Sequence, residues 1–393
     1  MNLFNKTVEG IKKRRQNVLN GGVNAIPFPL PALTRYVPGI MKGTQYGITG
    51  DSGASKSKLL RYMFVQTPFD FYYKNKDVMN IDVEIFLFSL EDNAEVVMKN
   101  LIVSALAKRK GIRLSTLTLD SYFENDKLPD NVLREIDSLE DYFILLLSKV
   151  HIIDNIRNPT GILKAVKTQL LKPHNGNYVD EHGEIVPVDS ITHENYKNRQ
   201  LSYQTVNENK FNIVLTDNLQ NVNPEQSHGG NKWAAYDQFC RDYMRGKLCN
   251  FFQTCNCIVQ QQEKSSGKAQ FTNTGNQVVE KLLPSVAGLS EYKNSVDSAH
   301  CLFGIFNPYK HKVEHFQTAQ NNWYDISQLG DHYRNLSILK SNFAETVNTS
   351  LFFDAFAESF SELPNGADAP AMALVYEHIQ TLKDKNFKSK LLF

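Results

Sequence analysis

Gln45-Tyr-Gly-Ile-Thr-Gly50-Asp-Ser-Gly-Ala-Ser-Lys56-Ser57 is the stretch on which the reading of this chain turns. An apolar strand over 46–49 runs into a turn of small residues and then into a helix from about Lys56. In the phosphate-loop pattern G-x-x-x-x-G-K-[S/T], backbone N–H groups cradle phosphates, the lysine neutralises them and the hydroxyl reaches a magnesium ion. Gly50, Lys56 and Ser57 fit that pattern, and Asp51, Ser52, Gly53 and Ala54 keep the turn small. Ser55 stands where the second glycine belongs, a position that ordinarily needs positive φ or close backbone approach. Taken alone, these residues fit a phosphate cradle or a plain Gly/Ser turn. The strand before and the helix after favour the cradle.

Outward from this loop, short apolar strands alternate with helical stretches. Strands are expected at 83–89, 151–154, 213–217, 257–260 and 301–306, and helices at 93–109, 160–172 and about 233–252. This succession predicts an α/β fold with a doubly wound, mostly parallel sheet, closed by an antiparallel pair at 336–339 and 350–353. A basic amphipathic helix over 1–22 ends at Asn20-Gly-Gly22 and either folds onto its own domain or docks on a neighbour. The main domain is expected over 23–364, with a polar insert at about 173–209 that carries the hairpin-turn signal Asp180-Glu-His-Gly183. A lysine-rich tail helix is expected within 365–393.

Three strand ends add chemistry. Phe88-Ser-Leu-Glu91 places a carboxylate at the carboxyl end of a strand, where parallel sheets bind ligands. Glu91 there is either a water-activating base or a solvated strand-end glutamate. Asp217, closing Phe211-Asn-Ile-Val-Leu-Thr-Asp217, is either a magnesium-associated carboxylate or a turn cap. Gln262, closing Ile258-Val-Gln-Gln-Gln262, offers an amide able to sense a terminal phosphate.

Composition bounds the partners. There are 43 Lys+Arg against 42 Asp+Glu, a formal net charge of +1, which excludes polyanion binding through bulk positive charge. No basic region followed by an apolar block opens the chain, and the apolar runs at 85–88 and 143–147 fall far short of a membrane span. A soluble, cytoplasmic protein without a membrane partner is expected. Five cysteines without a second metal-spaced pair read as buried thiols rather than a zinc site.

In this order the four features resemble the hexameric replicative DNA helicases of the DnaB type, with their RecA-like P-loop NTPase core. Val37-Pro-Gly39 before the first strand is similar to that family's approach to its core. Phe88-Ser-Leu-Glu91 is similar to its FSLE segment, and Asp217-Asn-Leu-Gln220 to its D-Y-L-Q motif. The strand into Gln262 resembles its sensor strand, and Leu289-Ser-Glu-Tyr-Lys-Asn-Ser-Val-Asp-Ser-Ala299 resembles its L-R-E-S-G-x-I-E-Q-D-A stretch. The segment from Leu339 to Asp354 fits its K-N-R-N-G-P-T-G-x-x-x-L-x-F-D pattern, with Lys340 and Asp354 corresponding. The arginine that in the family reaches the neighbour's γ-phosphate falls on Asn342. Such a finger is typically worth about 10³–10⁵ in rate. Arg334 and Arg35 are the candidates to replace it.

The resemblance implies a phage-like, ring-forming ATPase acting on single-stranded DNA in replication, as a homo-hexamer using ATP and Mg2+. Glu91, Asp217, Gln262 and Lys340 would be catalytic, 50–57 would bind nucleotide, and Ser57 and Asp217 would hold the metal. DNA would meet the loops after the Asp217 and Gln262 strands, through Gly229, Gly230, Lys232, Lys264 and Lys268; these also fit ordinary surface loops. A primase or helicase loader is the expected partner, and the usual primase-recruiting domain is expected to be absent. Ser55 and Asn342 also fit a weakly hydrolysing or non-hydrolysing RecA-like scaffold, and strand exchange or a KaiC-like ATPase on the same fold stays open.

Overall fold

The computed structural model describes residues 2–122, 124, 127–180, 182–187, 201–263, 278–290, 292–319, 322–343 and 345–391. Its centre is a nine-stranded sheet. In chain order the strands are β1 (Thr44–Gly50), β2 (Asp82–Ser89), β3 (Val150–Ile153), β4 (Lys210–Asp217), β5 (Cys255–Gln261), β6 (Cys301–Phe306), β7 (Tyr333–Ser341), β8 (Asn348–Asp354) and β9 (Ser359–Glu362). They lie side by side as β9-β8-β7-β6-β1-β5-β4-β2-β3. The six from β6 to β3 are parallel, and β7, β8 and β9 follow antiparallel.

Strands buried on both faces need apolar residues at consecutive positions, and their side chains then divide by period two. Ile85, Leu87, Ile213, Leu215, Cys257 and Val259 enter one core; Phe86, Phe88, Val214 and Ile258 enter the other. The helices that cover these faces follow the strands in sequence, as the alternation predicts. All five cysteines are buried and free.

Helix α1 (Leu3–Leu19) is capped by the Asn2 side chain, which accepts the Asn5 N–H at 2.9 Å, and it stops at Asn20 before Gly21 in the left-handed region. It touches its own chain through polar contacts, including Lys13 with Glu208, while Leu3, Phe4, Ile11, Val18 and Leu19 stay exposed. Helix α2 (Lys56–Arg61) leads into a continuous helical run through Asn75. Helix α3 (Ala94–Ala105) follows β2, α4 (Pro159–Leu170) follows β3, and α5 (Lys232–Asp237) continues through Phe251 before β5. Helix α6 (Ala369–Leu391) packs Met372, Ile379 and Leu382 into a third core with Tyr333 and Phe352.

The closing antiparallel group exceeds the expected pair by one strand. β9 pairs with β8, Leu351 facing Glu362, but its sequence Ser-Phe-Ser-Glu is too short and polar to signal a strand. A buried ion pair fixes it instead: Arg61 on α2 donates to both carboxylate oxygens of Glu358, at 2.9 and 2.7 Å. In the polar insert, Gly176–Val179, Ile185–Val186 and Ser202–Thr205 form a small sheet, and Asp180 and Gly183 make the turn. Residues 188–200 of that insert lie outside the described residues.

Candidate functional site

Strand register sets the site. Gly50 pairs with Gln261, Ser89 with Asp217 and Ile258 with Thr216, so β1 and β5 end together at their carboxyl ends, two residues beyond the common end of β4 and β2. The loop 50–57, Gln262, Asp217 and Glu91 therefore share one edge of the sheet, where Gln262 bonds Thr49 across 213 positions and Asn218 bonds Glu91 across 127.

The loop is held tightly. Ser55 is left-handed, φ 77° and ψ 30°, and Gly53 also has φ 77°. For a non-glycine residue that conformation costs on the order of 1–3 kcal/mol. Lys56 is 7% exposed, and its Nζ turns back to donate to the Asp51 carbonyl at 2.8 Å. Burial lowers the Lys56 pKa, while the Asp217, Glu91 and Asp51 carboxylates oppose the shift. Ser57 lies against Asp217.

At the end of β4, Asp217 is buried and its pKa is raised, chiefly by burial; Ser57 and Arg61 pull it down and Glu91 pushes it up. Its Oδ1 and the neighbouring Thr216 Oγ1 and Asn218 Oδ1 have no hydrogen-bond partner among the described residues. Buried oxygens left unpaired in a native protein call for water, an ion or a ligand. Asp217 with the Ser57 hydroxyl beside it is a hard-oxygen donor set of the kind magnesium takes, completed by water and phosphate. The residues fit the metal that the sequence implied.

Glu91 is exposed and accepts a hydrogen bond from Asn218 Nδ2 at 2.6 Å. Its neighbour Leu90 donates its N–H to the Asp217 carbonyl, which ties the two strand ends together. Gln262 is committed: Nε2 donates to Thr49 Oγ1 at 2.9 Å and to the Ser285 carbonyl at 3.0 Å, and Oε1 accepts the Ser285 N–H at 3.3 Å. It thus links the strand that bears the loop to the segment around Ser285.

Lys340 is not brought into this cluster. It donates to the Val296 carbonyl at the far end of β7, roughly 20 Å along the strand from Arg334 at about 3.3 Å per residue. Asp354 forms a two-pronged ion pair with Arg113, at 2.6 and 2.7 Å. Asn342 is exposed on the hairpin between β7 and β8. Gly229 and Gly230, both with positive φ, are exposed just before α5, and Lys232 is exposed as its first residue. Lys264 and Lys268, with the rest of 264–277, and Glu291 lie outside the described residues.

Several residues at this edge were not singled out from sequence in these positions. Arg334, expected as a replacement finger, is 1% exposed and grips its own chain's loop: Nε and Nη2 donate to Ser55 Oγ at 3.3 and 3.1 Å. A guanidinium so enclosed does not reach a neighbouring subunit. Arg35, the other candidate, is exposed. Lys310 donates to the Ser52 carbonyl, and His311 Nε2 lies 3.2 Å from Asp51 Oδ2, both from the turn after β6. Away from these contacts, Trp233 is 54% exposed beside Lys232 in the first turn of α5, an aromatic that sequence could have flagged.

The architecture matches known structures. A solved ATPase domain aligns with a TM-score of 0.58 at 14% identity, over 93% of this chain and 100% of that one. A DnaB-like replicative helicase, described together with its interactions with primase, aligns with a TM-score of 0.58 at 14% identity, over 91% of this chain and 67% of that one. The chain has the fold of a replicative-helicase ATPase domain. No family model and no curated protein matches it. Among the described residues of this helicase-type fold, no helix is long and apolar enough to cross a membrane.

Proposed function

We propose that the chain is an ATP-driven, ring-forming motor on single-stranded DNA, a replicative helicase or translocase. The observation that carries this reading is the convergence of the loop 50–57, Glu91, Asp217 and Gln262 on one sheet edge, within a helicase-type ATPase fold. Lys56 binds the β- and γ-phosphates, with the backbone N–H groups of 50–57 around them. Ser57 and Asp217 hold Mg2+, which when bound neutralises phosphate charge. Glu91, exposed at the mouth, takes the proton of the attacking water, and Asn218 orients its carboxylate. Gln262 passes the state of the loop to the segment around Ser285.

Gly229, Gly230, Lys232, Lys264 and Lys268 are the residues proposed to contact the single strand, and Trp233 offers a stacking surface for a base. Helix α1, with its exposed apolar residues, docks on the adjoining subunit of a homo-hexamer. A primase or a helicase loader is the expected protein partner, and the host cytoplasm the site of action if a bacteriophage encodes the chain.

Asn342 favours a second reading, a weakly hydrolysing nucleotide- and DNA-binding scaffold, because an uncharged amide occupies the tip where the resemblance implies an arginine. ATP turnover with and without single-stranded DNA, on wild type and Lys56→Ala, separates the two. The motor reading expects DNA-stimulated turnover that Lys56→Ala abolishes. Turnover that is absent, or equal in both proteins, sinks it.

A further inference from the structure

We propose that Arg334 is a same-chain positioning residue of the loop 50–57, holding Ser55 in the left-handed conformation that a glycine would otherwise supply. Its consequence for nucleotide binding rests on the function proposed above; the contact itself does not.

Ser55 is the one residue of the loop that combines a side chain with a left-handed backbone. Its hydroxyl receives two N–H groups of a single guanidinium, Nε and Nη2, across 279 positions of sequence. A planar fork presents two donors to one acceptor without further ordering, which a lysine ammonium does not do. The guanidinium is itself fixed on every side. Nη1 donates to the Asp331 and Tyr333 carbonyls, both at 2.8 Å, and Nη2 lies 3.1 Å from Asp331 Oδ1. Asn307 Nδ2 holds that same Asp331 oxygen at 2.7 Å, and the Phe353 ring lies 4.7 Å beneath the guanidinium carbon.

The pairing explains how a serine is tolerated at this position. A side chain at positive φ is strained, and an anchored hydrogen bond to its hydroxyl offsets that strain. Ser55 also immediately precedes Lys56 and occupies the N-cap position of α2, with its hydroxyl turned to Arg334 rather than to the helix backbone. Fixing its backbone therefore fixes the start of the helix and the direction from which the Lys56 ammonium reaches a phosphate. The strand register that sets Phe306 opposite Asn335 delivers Arg334 to the loop.

A double-mutant cycle of Ser55→Ala and Arg334→Met tests this, read by thermal melting without nucleotide and by binding of a fluorescent ATP analogue with Mg2+. Ser55→Ala is expected to lower the melting temperature of the wild type and to leave that of Arg334→Met unchanged. In binding, each single variant is expected to lose roughly tenfold in affinity, the double variant no more than either. Adding Ser55→Gly to Arg334→Met is expected to restore most of the lost affinity, which a purely structural role for the arginine would not permit. Additive losses, or no rescue by glycine, overturn the proposal. Should Arg334→Met fail to fold, Ser55→Ala alone decides: melting and binding equal to wild type overturn it. If the wild type binds no nucleotide, the proposed function fails, and the melting cycle still decides the Arg334–Ser55 contact.

Discussion

At the residue scale, Asp217 carries two opposed demands. Its carboxyl pKa is raised, first by burial, so the folded chain holds the proton more tightly than the unfolded chain does. Ionised Asp217 therefore costs stability, and its contribution falls as pH rises from the ordinary carboxylate value through the raised one. Asp217→Asn is expected to raise the melting temperature at pH 7 while removing Mg2+-dependent nucleotide binding, checked by melting and by titration with and without the metal. His300 works in the other direction. Burial, and then the Arg245 guanidinium beside it, lower its pKa to about 4, and its Nδ1 accepts the Gln45 N–H at 2.8 Å. That contribution is present above the ordinary histidine value and is lost as pH falls through about 4. Melting from pH 7 down to pH 4 is expected to show a drop that shrinks in His300→Gln.

At the scale of elements, the Arg61–Glu358 pair joins α2 to the turn between β8 and β9, with both side chains almost wholly buried. Removing one member of such a pair leaves a buried charge alone, so Arg61→Met is expected to cost about 3–5 kcal/mol in urea unfolding. Arg61→Met with Glu358→Met together is expected to recover a large part of that loss. Gly39 before β1 is a second such point. Its φ is 143°, and a Cβ there would sit 2.0 Å from the Ile26 carbonyl oxygen. Gly39→Ala is expected to destabilise the chain by roughly 2–4 kcal/mol by the same measurement. The strands β2, β4 and β6 were legible because burial on both faces favours near-continuous apolar runs, and β1 and β5 because shorter apolar stretches run into the small or polar residues that end them. β9 was not, because its pairing depends on the neighbouring strand and on Glu358 rather than on its own four residues.

At the scale of the molecule, a net charge of +1 leaves no general attraction for DNA, so the proposed ring must gather local groups around one channel. Lys232 and Trp233 are exposed in succession at the start of α5, while the exposed apolar residues of α1 lie on a helix joined to its chain by polar contacts. Deleting 1–22 is expected to abolish nucleotide-dependent oligomers in light scattering while leaving nucleotide binding intact. An unchanged oligomer in the truncated chain would remove α1 from the assembly.

The sequence by itself determined the order of the parallel strands, the small-residue loop ahead of Lys56, and the polar residues at the strand ends that form the site. These follow from local periodicity and backbone preference, which neighbouring residues express on their own. Only the tertiary structure decided what those residues meet. It gave Ser55 to Arg334, tied Gln262 to Thr49 and Ser285, and left Asp217 Oδ1 without a partner among the described residues. Strand register and the packing of distant segments choose such partners, and no local pattern in the chain encodes which side chain will arrive.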